Sequence, residues 1–136
     1  MTNQHRILTI RQPWASYIID GSKNVENRSK RISHRGQLLI HAGKQWDAEG
    51  IDPMLCFTDG LISYRPGTVP FGAIIGSVDL VDCVRDSSSE WAEPGMWHWL
   101  MENPQPFPVP IPWRGRQGLW RIGKAELEEK RKRVQR

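Results

Sequence analysis

The sequence predicts an α+β fold that is mainly β: a small β-barrel with one or two covering helices. Three observations predict this class. Strand-like segments outnumber helical ones, glycines fall where strands can bend, and 136 residues suffice for one domain but not for two ordinary ones. The composition, 38% hydrophobic and 25% charged, is globular and excludes a disordered tail, a collagen-like fibre and a coiled coil.

The first third of the chain predicts a strand, a helix and two more strands. Residues 7–10, ILTI, predict a short strand. The helix predicted over residues 13–20 begins with a proline, whose missing N–H costs nothing there, and ends before a glycine. Residues 24–28 read as an extended segment, and residues 36–42, GQLLIHA, predict the next strand.

The middle of the chain predicts an irregular segment followed by the longest strand. Residues 46–64 have weak helical spacing interrupted by proline and glycine, which indicates a short helix and a loop. A turn at residues 65–67 leads to residues 71–84, whose β-branched run is the strongest strand signal in the chain. After a polar linker, residues 96–101 predict a strand with two alternating faces.

Proline occupies every second position between residues 103 and 113. Such spacing puts the prolines on one side of an extended chain and the apolar residues on the other. Because proline cannot donate to a sheet ladder, the segment must be an edge strand or a polyproline segment. Residues 118–122 predict a last strand, so the domain spans residues 1–123, and residues 124–136 form a charged helix or tail.

The formal net charge of +4 is distributed in blocks of opposite sign. Residues 1–44 carry eight basic and two acidic residues, whereas residues 45–93 carry two basic and nine acidic residues. The remaining residues carry a small positive excess. Two interpretations stay open: the basic and acidic blocks neutralise each other across the fold, or the first third forms a local patch that binds phosphate.

Tryptophan supplies seven of the twelve aromatic residues, more than a small core needs. Indoles beside basic residues are typical of base stacking on RNA. Trp97 and Trp99 share a strand face and form either a core wall or a stacking wall, and Trp113 precedes the RGR triplet of residues 114–116. Trp14 is either a core anchor or the residue that stacks on a base.

The sequence shows no sign of secretion, membrane insertion or a metal site. No apolar run is long enough to span a bilayer, and the N-terminus lacks the apolar core of a signal peptide. Cys56 and Cys83 are then expected to be reduced thiols in the cytoplasm. The cysteines and histidines lack the spacing of zinc ligands. We therefore expect a cytoplasmic protein without a metal, a cofactor or a membrane partner.

Residues 21–28 read GxKxxExR and directly follow the predicted helix. With the preceding LTIRQPW of residues 8–14 and the following GQLLIHA of residues 36–42, the pattern resembles the ASCH (activating signal cointegrator homology) domain family of the PUA-like superfamily. Later blocks continue the resemblance, which covers residues 7–123. It implies a PUA-like barrel with a cleft that is lined by the motif and binds RNA or a modified nucleotide.

The residues expected to bind in that cleft supply positive charge, hydrogen-bonding groups and an indole. They are Arg11, Gln12, Trp14, Lys23, Glu26 and Arg28. A lysine just after a helix and near a glutamate favours its charged form, which suits a phosphate or a carbonyl oxygen. Gln12 and Trp14 lie at the start of the helix, where backbone amides can hold an anion. The alternative interpretation of Lys23, Glu26 and Arg28 is a salt-bridge cluster that only stabilises the fold.

A second function stays open because some members of the family that the sequence resembles are amidohydrolases of N4-acetylcytidine. Those members use the motif lysine, here Lys23, a threonine at the position of Glu26, and a downstream glutamate, for which Glu90 and Glu93 are the candidates. In this alternative Lys23 is the catalytic base or nucleophile and Glu26 moves a proton, which requires a desolvated lysine. A ribonuclease and a protein-interaction module on the proline-rich edge are further alternatives.

Overall fold

The computed structural model describes residues 3–47, 64 and 66–135, and in these residues one six-stranded sheet carries two α-helices. The elements in chain order are β1 (Gln4–Gln12), α1 (Trp14–Ile19), β2 (Val25–Arg28), β3 (Gly36–Trp46), β4 (Ala73–Val84), β5 (Trp97–Pro112), β6 (Leu119–Gly123) and α2 (Lys124–Val134). A 3₁₀ turn, Pro66–Thr68, precedes β4. The short helix and most of the loop predicted over residues 46–64 lie outside the described residues.

The sheet is open, with the strand order β2-β5-β4-β3-β1-β6. β1 and β3 run parallel, and the other neighbouring strands are antiparallel. The mainly β fold with covering helices is confirmed, but the predicted closure into a barrel is not, because β2 and β6 are the two outer strands and do not pair in the described part of the chain.

One side chain bridges the two outer parts of this sheet. Arg28, at the end of β2, donates through Nη2 to the backbone oxygen of Thr9 in β1 at 2.9 Å. The bridge lies just beyond the pair of Leu8 with Leu119, where the ladder between β1 and β6 ends. The sheet is therefore curved enough for β2 to approach β1, and the cleft described below lies along this gap.

Two apolar clusters cover the two faces of the sheet. Because neighbouring residues of a strand point to opposite faces, Leu8 belongs to the larger cluster and Ile7 to the smaller one. The helix α1 packs its buried residues against the larger cluster. The helix α2 contributes Leu127, which is 2% exposed, to the smaller cluster. Each helix thus covers one face of the sheet.

The predicted strand at residues 96–101 and the proline-rich segment are one continuous strand, β5. Residues 98–100 pair with both β2 and β4, whereas the proline-rich half pairs, among the described strands, with β4 alone. The prediction of an edge strand is therefore confirmed for the prolines. The two strands approach each other closely at Gly76, where an added Cβ would lie 2.5 Å from the oxygen of Gln105.

The charged C-terminal segment is a helix rather than an extended tail. Glu126, one of its three acidic residues, lies in the first turn, and its last turn contains Arg131, Lys132 and Arg133. This distribution of charge complements the helix dipole and stabilises α2. In the residues that the structure describes, no helix combines the length and the apolar character needed to cross a membrane.

Candidate functional site

A wide cleft of about 1030 Å³ opens between the end of β1, the start of α1, the strand β2 and residues 90–96. Five of the six predicted binding residues line it: Arg11, Trp14, Lys23, Glu26 and Arg28. Both candidates for a downstream glutamate, Glu90 and Glu93, line it as well. We call this feature the Lys23 cleft.

Lys23 lies at the bottom of the cleft with 6% of its surface exposed. Its ammonium group donates to the backbone oxygen of Val25 and lies 3.6 Å from Oε1 of Glu26. The centroids of the indole rings of Trp14 and Trp91 are 5.7 and 5.9 Å from Nζ. Desolvation by burial lowers the pKa of Lys23, and the nearby Glu26 opposes this effect. Loss of the proton from Lys23 is therefore easier than from an exposed lysine.

Glu26 and Arg28 share one face of β2, as their spacing requires. Oε2 of Glu26 accepts a hydrogen bond from Nε of Arg28 at 2.8 Å, and Glu26 is 8% exposed. The guanidinium of Arg28 also lies 6.0 Å from the ring centroid of Trp99. Lys23, Glu26 and Arg28 thus form a continuous chain of ion pairs that is held by backbone oxygens at both ends.

Trp14 packs on the core and also lines the cleft. Its ring packs against the larger apolar cluster, and Nε1 donates to Oδ2 of Asp47 at 2.9 Å. The same side chain lines the cleft. Trp14 is therefore held in place by the core and presents part of its indole to the cleft.

Gln12 is the predicted site residue that does not line the cleft. Its side chain is fully buried, with Oε1 accepting from the N–H of Ser16 at 3.0 Å and Nε2 donating to the oxygen of Pro70 at 2.9 Å. The N–H of Ser16, which Gln12 binds, belongs to the first turn of α1, where the sequence predicted that backbone amides hold an anion. Gln12 thus satisfies an amide of α1 with its own oxygen.

Sequence reasoning missed Trp91, which directly follows residues 86–90, the segment interpreted as a polar linker. Nε1 of Trp91 donates to the oxygen of Ser22 at 2.9 Å, and its ring makes an edge contact with Trp14 at 6.2 Å between centroids. Asn27 holds this segment from β2: Nδ2 donates to the oxygen of Trp91, and Oδ1 accepts from the N–H of Glu93, both at 2.9 Å. Asn27 lies just before the arginine of the GxKxxExR pattern, and its amide was the signal in the sequence that could have indicated this contact.

The mouth of the cleft combines both blocks of charge. Arg11 and Lys44, from the basic first third, are exposed and form no ion pair with the described residues. Asp47, Glu90 and Glu93, from the acidic block, also line the cleft. The basic and acidic blocks therefore meet at this cleft.

The remaining candidates lie away from the Lys23 cleft or in the core. Trp99 is 5% exposed and Trp97 packs against the larger cluster, so their shared strand face is a core wall. Trp113 lines a separate groove. Over the described ranges, no group of three or more histidine, cysteine, aspartate or glutamate side chains is placed to hold a metal ion.

Comparisons with known proteins agree on one family. The family model described as the ASCH domain matches residues 8–111. Activating signal cointegrator 1 of Mus musculus is 31% identical over 127 residues, and that of Homo sapiens is 32% identical over 128 residues; each match covers 85% of this chain. The chain corresponds to 22% of the length of these two relatives.

Solved structures show the same fold at low sequence identity. Two substituted forms of ZmASCH from Zymomonas mobilis align with TM-scores of 0.56 at 16% and 17% identity. The alignments cover 92% and 93% of this chain and 94% of each ZmASCH chain.

Proposed function

Because this chain belongs to the ASCH domain family, we propose that it binds RNA or a single modified nucleotide in the Lys23 cleft. One observation carries the proposal: the buried ion-pair chain of Lys23, Glu26 and Arg28 lies beside two indoles at the bottom of an open cleft. Such a cleft supplies a polar edge and aromatic surfaces together, which are the two features that recognise an unpaired base.

The indoles provide the stacking part of the proposed site. Trp14 and Trp91 meet at an interplanar angle of 74°, so a base that stacks on one ring lies nearly perpendicular to the other. Stacking of a base on an aromatic side chain contributes about 1–3 kcal/mol. Hydrogen bonds donated by the indole N–H groups already hold both rings, so that little side-chain entropy is lost on binding.

The polar groups provide the specific part. Glu26 accepts hydrogen bonds, and Lys23 and Arg28 donate them, so a base edge with both kinds of group finds partners. Arg28 uses Nε for Glu26 and Nη2 for Thr9 and retains further N–H donors. Arg11 and Lys44 at the mouth of the cleft are exposed cations that suit the phosphate of a nucleotide.

Binding of a short fluorescently labelled single-stranded RNA, followed by anisotropy, tests this proposal. We expect Lys23→Met to weaken binding roughly tenfold or more, because a charge-assisted hydrogen bond contributes about 1.5–3 kcal/mol. Lys30→Met is the matched control, since Lys30 is exposed and does not line the cleft. Equal affinities of the two variants for RNA and for nucleosides would contradict the proposed site.

The lowered pKa of Lys23 favours a second candidate function, hydrolysis of an N4-acylated cytidine. A neutral Lys23 would take a proton from water as the water adds to the acyl carbon. Arg28 would stabilise the oxyanion, and Glu26 would carry the proton to the departing exocyclic amine, so that cytidine and a carboxylic acid form. Of the two candidate glutamates, Glu93 is the one whose charge acts on Lys23, and it raises the pKa of the lysine.

Incubation with N4-acetylcytidine separates this candidate from binding alone. The absorbance change on conversion to cytidine measures turnover, and Lys23→Met and Glu26→Gln should abolish it if the two residues act as described. Absence of turnover by the unsubstituted protein at high concentration would exclude the amidohydrolase, while RNA binding would still be measured independently.

A further inference from the structure

A second groove of about 540 Å³ lies between residues 113–116, the strand β6 and the start of α2. Its lining includes three arginines, Arg114, Arg116 and Arg121, and two tryptophans, Trp113 and Trp120. We call it the Arg114 groove. The RGR triplet beside a tryptophan was a pattern in the sequence that the Lys23 cleft leaves unused.

Two side chains, His41 and Thr9, hold the backbone of residues 113–116. Nε2 of His41, which is 1% exposed, donates to the oxygen of Trp113 at 2.8 Å. Oγ1 of Thr9 donates to the oxygen of Arg116 at 2.7 Å. Between them Gly115 lies directly on the imidazole, because an added Cβ would be 2.3 Å from Cε1 of His41. The core therefore positions the loop before any ligand is present.

The arginines on this held backbone are exposed and form no ion pair with any described residue. Arg121 is also directly opposite Arg6 in the ladder between β1 and β6, and like charges in that register repel each other. Lys130 adds a further cation, with Nζ 4.1 Å from the ring centroid of Trp113. Against these charges the described lining of the groove contains one acidic residue, Glu126. An anion in the groove would relieve this repulsion.

The Arg114 groove and the Lys23 cleft lie on either side of one loop. Gln117 and Gly118 line the Lys23 cleft, and the preceding residues, up to Arg116, line the Arg114 groove. From Arg114 to Gln117 the chain can span at most about 11 Å. A ligand that extends from the Lys23 cleft across this loop therefore reaches the Arg114 groove.

We propose that the ligand of the Lys23 cleft is a single-stranded RNA whose backbone crosses loop 113–118 and whose phosphates bind Arg114, Arg116 and Arg121. This inference rests on the proposed function and specifies its ligand as a polynucleotide. A mononucleotide carries its phosphate beside its base and would fill one site, whereas linked phosphates satisfy arginines on the far side of the loop. Arginine suits this role because its planar N–H groups bind phosphate oxygens in pairs.

Binding of a labelled oligouridine of about ten nucleotides, within the usual site sizes for single strands, tests the proposal when measured over a range of salt concentrations. We expect Arg114→Gln with Arg116→Gln to weaken binding roughly tenfold and to reduce the salt slope by about 1.4, since each phosphate contact on a single strand contributes about 0.7. The charge-matched control is Arg31→Gln with Lys132→Gln, because both residues are exposed and line neither site. A labelled dinucleotide should bind the arginine variant and the unsubstituted protein equally.

The outcomes distinguish the two proposals. If Lys23→Met weakens binding of the oligouridine and the arginine variant behaves like its control, the path over the loop is wrong and the proposed function stands. If Lys23→Met has no effect, the proposed function fails, and a loss of affinity in the arginine variant would then mean that the Arg114 groove binds RNA alone. An unsubstituted protein that does not bind oligouridine contradicts the path over the loop and RNA as the ligand, and restricts the proposed function to a single modified nucleotide. Thermal unfolding of each variant verifies that it is folded.

Discussion

The Lys23 cleft and the Arg114 groove both collect cations, but the two sites hold their charges in opposite ways. In the cleft, Lys23 and Glu26 are buried and bound to each other, to Arg28 and to backbone oxygens. In the groove, the arginines are exposed and unpaired among the described residues, and His41 and Thr9 hold only the backbone beneath them. Removing a charge from the cleft should therefore change both stability and binding, whereas removing a charge from the groove should change binding alone.

The largest expected effect tests the first half of this comparison. Glu26→Ala leaves two cations without their carboxylate in a mostly buried site, which typically costs about 3–5 kcal/mol in the free energy of unfolding. Urea denaturation measures the loss, with Glu102→Ala, an exposed residue of β5, as the control. A loss no greater than that of the control would show that the ion pairs of the cleft do not stabilise the fold.

A smaller loss is expected where the groove depends on the core. In Gly115→Ala the new Cβ collides with the buried imidazole of His41, so the loop must move. We expect a loss of about 1–3 kcal/mol in unfolding free energy, as for overpacking elsewhere, together with weaker binding of oligouridine. Gly67→Ala is the matched control, because nothing lies within 4 Å of an added Cβ there. Unchanged stability and affinity would mean that the loop is not held by His41.

Alkaline pH should change the contribution of Lys23 to the free energy of unfolding, but not that of Arg114. Burial lowers the pKa of Lys23 below its ordinary 10.5, so between the folded pKa and 10.5 the unfolded chain binds more protons than the folded one. Stability contributed by this residue must therefore rise with pH across that window. The protein should gain stability relative to Lys23→Met as pH rises toward 10.5, measured by urea denaturation. The same comparison with Arg114→Gln should show no such gain, and a constant difference for Lys23→Met would contradict the effect of burial on this lysine.

The smallest effect is expected for one arginine of the groove. Arg114→Gln should leave the thermal midpoint unchanged, because the side chain is exposed and makes no contact that stabilises the fold. It should nevertheless reduce the salt slope of oligouridine binding by about 0.7, the contribution of one phosphate contact. A shifted thermal midpoint together with an unchanged salt slope would show that Arg114 stabilises the fold and does not bind phosphate.

Local pattern was sufficient for much of the fold. The alternation of β2 placed Glu26 and Arg28 on one face, and the spacing of prolines identified an edge segment, because both depend on neighbours in the chain. The helix over residues 13–20 was predicted within about two residues at each end, the usual uncertainty of helix boundaries. The proline-rich segment was treated separately from the preceding strand because its prolines cannot donate to a sheet ladder, whereas in the structure β5 continues through Asn103, which has a φ of 51°.

The sequence by itself determined the family motif, the mainly β class and the residues that form the ion-pair chain, because spacing of three or fewer positions fixes which side chains can meet along one segment. Only the tertiary structure decided that the sheet stays open, that Gln12 faces inward, that Trp91 joins the cleft and that His41 supports the RGR loop. Trp91 and Ser22 are 69 positions apart, and His41 and Trp113 are 72 apart. Contacts over such separations depend on how strands pair across the sheet, which hydrophobic periodicity does not specify.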